Sequence, residues 1–243
     1  MEKKPLVEKM AEKAFESEAF QKSWQMHERA FGPILLPAFT DSMAARVHLT
    51  NALNHISRRE TDRGIELLEK IEPACQNDAD HAAWNFFMGL AYEMAGDLEG
   101  MGKWYAFAID YRPPFYLPYL KLAKYQHQKG ALDASEKHFE KAIMCLQNAE
   151  KTEQNTVILA STCANFAATL VQLKDYARAK EMLLLSESLI PVLAGRDGTW
   201  AILYACLGDR ENAEKYLHLV KERTPLLWSA IQKVVEEKLA HKE

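Results

Sequence analysis

The stretch GDLEGMGK, residues 96–103, carries the glycines and lysine of a phosphate-cradling loop, whose chemistry needs G-x-x-x-x-G-K followed by Ser or Thr. Here Asp97 stands where the first glycine must be, and Trp104 replaces the hydroxyl that would reach a magnesium ion. His27-Glu28 begins like the helical zinc-protease motif, but Phe31 takes the place of the second histidine. His48 and His55 are spaced to share a helix face, yet no third ligand stands near them, so they read as surface or cap residues. Cys75, Cys145, Cys163 and Cys206 are far apart in apolar helical surroundings, without the close pairing of a zinc or redox site. They read as small hydrophobes of a reducing compartment. No G-x-S-x-G and no nucleophile–base set is present in the sequence. The expectation is a non-catalytic chain with no metal and no cofactor.

Composition narrows the class. Apolar residues make up 48% and charged residues 26%, an ordinary balance for a water-soluble domain. Only 10 Gly and 9 Pro punctuate the 243 residues, which favours long helices over many short strands. A net charge of −4 argues against a general nucleic-acid binder, since such proteins carry a basic excess. The N-terminal stretch lacks the apolar run of a secretory signal, and no segment has the apolar length of a membrane span. A cytoplasmic location is expected, with no membrane partner.

The elements that position these residues recur. Residues 84–113, WNFFMGLAYEMAGDLEGMGKWYAFAIDYRP, read as two helices joined by a turn at Gly96-Asp97. Gly89 and Tyr92 lie on the first helix, Tyr105 and Ala108 on the second, and Pro113 closes the unit. The pattern repeats after 34 residues (130 − 96), where Gly130, Ala123, Phe139 and Ala142 match Gly96, Gly89, Tyr105 and Ala108. A further copy centres on Lys174-Asp175, with Ala167, Ala179, Leu183 and Pro191. It comes ten residues late, and the extra residues fall around 148–155, either as a loop or as extensions of both flanking helices. The next turn, Gly208, restores the spacing of 34 (208 − 174), with Ala201, Tyr204, Ala213, Leu217 and Pro225. An earlier, weaker copy at 45–78 has Ala52, Gly64, Leu68 and Ile71 but replaces the Gly-Asp turn with Arg58-Arg59-Glu60-Thr61.

This order of small residue, aromatic, turn, aromatic, Ala and Pro resembles the tetratricopeptide repeat, whose period is about 34 residues. The resemblance implies an all-α fold: a right-handed superhelical stack of helix-turn-helix units. Five units are expected, at 45–78, 82–115, 116–149, 160–193 and 194–227. The small residues let paired helices approach, and stacking buries what one pair cannot. Ahead of them, 4–30 reads as one amphipathic helix, followed by the proline-bounded FGPILLPA at 31–38. That segment either plugs the end of the core or docks on a groove of this or another molecule. After the units, one helix from near 225 to 243, with Leu227, Ile231, Val235 and Leu239 in a stripe, caps the last repeat.

For function, the resemblance implies a protein-interaction module or scaffold that holds a peptide or helix on its first helices. The register places Phe86, Phe87, Leu90 and Glu93, then Lys121, Lys124, His127 and Gln128, then Asn165, Ala168 and Gln172 on that groove. Lys121 and Lys124 favour an acidic or amphipathic protein partner. The Lys and Asn by which some family members grip a C-terminal carboxylate are absent, because Leu49 and Leu53, or Phe86 and Leu90, stand at those positions. The alternative is a peptide-sensing regulator whose array changes shape on binding, although the relatives of that kind carry an effector domain that is not recognised here.

Overall fold

The structure, a computed structural model, describes residues 6–35, 39, 42–111 and 115–241. Among the described residues it is all α, and no strand occurs. The chain divides into two compact units at Pro118. The first contains α1 (Leu6–Phe15), α2 (Glu18–Leu35), α3 (Met43–Ser57), α4 (Thr61–Glu69), a 3₁₀ turn (Glu72–Ala74), α5 (Asp78–Ala95) and α6 (Leu98–Asp110). The second holds α7 (Leu117–Gln128), which begins at the boundary, then α8 (Leu132–Asn148), α9 (Glu153–Gln172) and α10 (Tyr176–Leu189). It ends with α11 (Arg196–Leu207), α12 (Arg210–Arg223) and α13 (Pro225–Ala240). Pro113 and residues 36–38 of the apolar segment, to which the sequence assigned roles, lie outside the described residues.

Each helix pair turns on one left-handed residue. Gly96, Gly130 and Gly208 have φ of 82°, 75° and 80°, and Arg59 and Lys174 adopt the same conformation at 62° and 63°. The first repeat therefore makes the family's turn without the family's glycine. A cap follows three of the turns. Asp97 accepts from the Gly100 amide at 2.9 Å, Asp175 from Arg178 at 3.2 Å and Asp209 from Asn212 at 3.1 Å. These carboxylates satisfy amides that the first helical turn leaves unpaired.

The small residues sit where helices meet. Ala123, Ala167, Ala179, Ala201 and Ala213 are all fully buried. Ser135, which departs from the small apolar rule, is also fully buried and donates its hydroxyl to the Ala123 carbonyl at 2.8 Å. Trp84 donates its indole N–H to the Leu68 carbonyl at 2.9 Å, joining α4 to α5. In the second unit Arg178 joins α10 to α8. It donates to Glu136 and Glu140 at 2.5 and 2.7 Å while its guanidinium lies over the Phe166 ring.

Three features differ from the expectation. The N-terminal helix is two helices, because Ser17 breaks it and caps α2 by accepting from the Phe20 amide at 3.2 Å. Helix α2 also continues past Pro33, whereas the sequence reading ended the N-terminal helix at residue 30. The backbone leaves helical geometry at Phe31 (φ −130°, ψ 18°), so Pro33 enters in the first turn of a restarted helix, where its missing N–H breaks no bond. At the N-cap position of α13 the Thr224 hydroxyl, which by residue type would cap the helix, instead returns to the Val220 carbonyl at 3.3 Å. The extra residues at 148–155 lengthen both neighbours: α8 runs 17 residues and α9 runs 20, with only 149–152 between them.

Candidate binding surfaces

The first helices of the pairs are α3, α5, α7, α9 and α11. In the first unit this surface is covered by the chain's own α2. The Phe31 ring packs edge-on against Phe86 and Phe87, with centroids 6.1 and 5.5 Å away. Ile34 and Phe39 are buried beside it. The Phe39 amide donates to Asp80 at 2.6 Å, and the Phe39 carbonyl accepts from Arg46 Nε at 3.1 Å. Ser23 donates to Asn54 Oδ1 at 2.9 Å, and His27 Nε2 lies 3.0 Å from the same oxygen. Arg46 also stacks over Trp24. The described part of the 31–38 segment is thus packed onto α5 of its own unit.

That docking corrects the placement of Phe86 and Phe87. Both were expected on a ligand-facing surface, and both are fully buried among Phe31, Tyr105 and each other. Leu90 is half-buried. Glu93 accepts from the Tyr105 hydroxyl at 2.6 Å, so its carboxylate joins α5 to α6. Burial, helped by the Glu93 charge, pushes the Tyr105 phenol far up. Leu49 and Leu53 are buried too.

In the second unit the predicted residues are accessible. Lys124, Gln128, Asn165 and Gln172 are exposed, and Lys121 and His127 are half-buried. His127 brings α7 and α9 together. Its Nδ1 is 2.9 Å from Thr169 Oγ1, and its Nε2 is 3.2 Å from Gln172 Nε2. Gln172 therefore donates to a neutral ring, consistent with the lowered His127 pKa that burial imposes.

Sequence reasoning missed a pocket of about 580 Å³ in this unit, walled by α9, α11 and α13. Its floor includes Val171, Ile202 and Val234, and Lys174, Lys238 and His241 stand among its lining residues. The available signal was on α13. Val234, Lys238 and His241 lie at i, i+4 and i+7, beside the stripe of Val235 and Leu239 that packs on Ala201 and Ala205.

Burial raises the pKa of three of the thiols, Cys75, Cys145 and Cys163. Burial pushes Cys75 up to about 12, aided by the Asp80 and Glu72 charges, and Cys163 up to about 11. Among the described residues no group of three His, Cys, Asp or Glu is placed to hold a metal ion. No described helix is long and apolar enough to cross a membrane.

No protein-family model matches the chain, and no curated protein matches it. Solved structures do. The chain is similar to the PilF protein of Pseudomonas aeruginosa, at 17% identity and a TM-score of 0.66, over 93% of this chain and 98% of PilF. A chain of the APC/C hetero-tetramer Cut9–Hcn1 matches at 14% identity and a TM-score of 0.65. That match covers 96% of this chain and 45% of the other. BtubC from P. vanneervenii matches at 14% identity and a TM-score of 0.59, over 87% and 93%. These neighbours are tetratricopeptide-repeat proteins. By fold, then, the chain is a tetratricopeptide-like helical-repeat protein.

Proposed function

We propose that the protein is a non-catalytic interaction module that holds a segment of a protein partner on the first helices of its second unit. The observation that carries this reading is the contrast between the two units. In the first, α2 covers Phe86 and Phe87, whereas in the second Lys124, Gln128, Asn165 and Gln172 lie exposed on α7 and α9. Those side chains suit a peptide backbone and an acidic or amphipathic sequence. A cytoplasmic setting suits four thiols that form no disulfide.

The test is site-specific photo-crosslinking in the native cell. A photoreactive residue at Asn165 is expected to capture a partner, and the same residue at exposed Lys180 on α10 is not. Equal capture from both positions, or capture from Lys180 alone, would move the site to the second helices. With the partner in hand, Lys121→Glu with Lys124→Glu is expected to weaken binding while leaving the melting temperature nearly unchanged. The loss should shrink as salt rises.

A second reading, a regulator that changes shape when peptide binds, is favoured by the seating of α2 on α5. A partner with the apolar pattern of Phe31 and Ile34 could displace it. Small-angle scattering with and without the captured partner separates the two readings, since displacement of α2 expands the first unit and simple docking does not.

A further inference from the structure

We propose that the pocket between α9, α11 and α13 binds an acidic amphipathic segment of the partner, with apolar side chains on its floor and carboxylates at its basic residues. The proposal rests on the interaction-module reading above and assigns it a specific subsite with a stated ligand chemistry.

The pocket is built by helix periodicity on three elements. Thr199 and Ile202 follow one face of α11 at i and i+3, and Val171 and Gln172 come from the last turn of α9. Lys174 stands in the turn after α9 with φ of 63°, a left-handed conformation that breaks the helical course just beyond Gln172. On α13, Val234, Lys238 and His241 supply the third wall. This helix packs Val235 and Leu239 onto Ala201, Ala205 and Ala213. Its approach is close at Gly198, where a Cβ would lie 2.5 Å from Ile231 Cδ1. The helix expected only to cap the last repeat therefore also presents a second face to an open site.

Charge selects the occupant. The lining includes Lys174, Lys238 and His241 and no carboxylate. Lys174 and Lys238 are exposed residues of a lining that also holds apolar Val171, Ile202 and Val234. Two carboxylates adjoin these lysines in sequence, Asp175, which caps α10 and lies 3.6 Å from Arg178, and Glu237 beside Lys238, and neither lines the pocket. A volume of about 580 Å³ lies within the range of ligand pockets and accepts side chains of a docked segment. A basic segment would meet like charge here, and a purely apolar one would leave the lysines without partners.

The experiment is a selection of displayed random peptides on the full chain, repeated on Lys174→Glu with Lys238→Glu. Selected peptides are then measured by fluorescence anisotropy against the wild type, the double variant and Ile202→Asp. Wild type is expected to enrich paired apolar residues flanked by Asp or Glu. The double variant should bind those peptides about tenfold or more weakly and should enrich Lys and Arg instead. Unchanged melting of the double variant shows that it folds. If selected peptides bind all three proteins equally, the pocket is not the site, although the interaction reading stands. If they respond to Ile202→Asp but show no acidic bias, the proposed ligand chemistry is overturned. If neither protein enriches any peptide, both the pocket and the interaction reading fall.

Discussion

The ring of Tyr105 occupies the space that a side chain at position 89 would need. A Cβ added to Gly89 would lie 2.6 Å from Tyr105 Cδ1 and 2.7 Å from Cε1. The ring cannot swing aside, because it is fully buried and its hydroxyl is held by Glu93 at 2.6 Å. Helix propensity alone would make Gly89→Ala mild. The contact reverses that expectation. Gly89→Ala should itself destabilise the first unit by about 1–3 kcal/mol through overpacking. Adding Tyr105→Leu should recover part of the loss, because the two positions touch. Urea denaturation of the single and double variants measures both. Wild-type stability of Gly89→Ala would mean that α5 and α6 do not pack this closely.

Arg59 holds a left-handed conformation that the clash of Cβ with the backbone makes costly for any residue but glycine. Its side chain is exposed, and it stands at the turn position that Gly96, Gly130 and Gly208 fill in other repeats. Arg59→Gly removes the strain and adds some backbone entropy to the unfolded chain, two effects of opposite sign. The strain is the larger, so a gain of about 0.5–1 kcal/mol is expected. Thermal melting of the variant checks it, and a lower midpoint would show that the turn gains nothing from glycine.

Arg196 is a buried cation that organises the connection from α10 to α11. Only 1% exposed, it donates to the carbonyls of Ile190 and Pro191 at 2.7 and 2.6 Å, and to Ser186 Oγ at 3.3 Å. Glu187 lies 3.7 Å away. Arg196→Met would leave these part-buried carbonyls without their donor and should cost about 2–3 kcal/mol. Arg196→Lys restores charge but not the planar fork, so it should recover only part of the loss. Melting curves of both variants provide the comparison, and an Arg196→Met protein that melts with the wild type would rule out this role.

Acid should weaken the fold before any carboxylate titrates. Burial lowers the pKa of His27, His48, His127 and His138 below the ordinary 6.5. The folded state therefore binds fewer protons than the unfolded chain in the window just below that value. Stability from these histidines is fully present above 6.5 and is lost as pH falls through 6.5 towards the folded pKa values. Urea midpoints should drop between about pH 7.5 and about pH 5.5, and His138→Gln should flatten the slope. Glu60 and Asp209, held low first by hydrogen bonds from His55 and from Asn212, add their loss only in the more acidic carboxylate range. A midpoint that is constant across the upper window would contradict the burial of these rings.

The sequence alone determined the parts of this protein that are set locally. Gly96-Asp97 and Gly208-Asp209 specify a left-handed turn followed by an N-cap, a geometry that a few consecutive residues dictate. The recurrence of Gly89, Ala123, Ala167 and Ala201 at intervals of 34, 44 and 34 residues made the helix pairs legible, because close approach demands small side chains at matching positions of each pair. Lys121, Lys124, Asn165 and Gln172 were assigned to the first helices from that register alone. Tertiary structure decided what touches what. Phe86 and Phe87 are equally suited to a groove or a core, and only the long-range seating of Phe31 on α5 buries them. Helix α2 crosses Pro33 because packing supports a kink at Phe31 that propensity alone opposes. Nor does any local pattern assign Lys174 and Lys238 to one pocket, since they belong to elements far apart in the chain. Periodicity gives each helix its faces, but which face meets another helix and which stays open depends on the burial that the whole stack achieves.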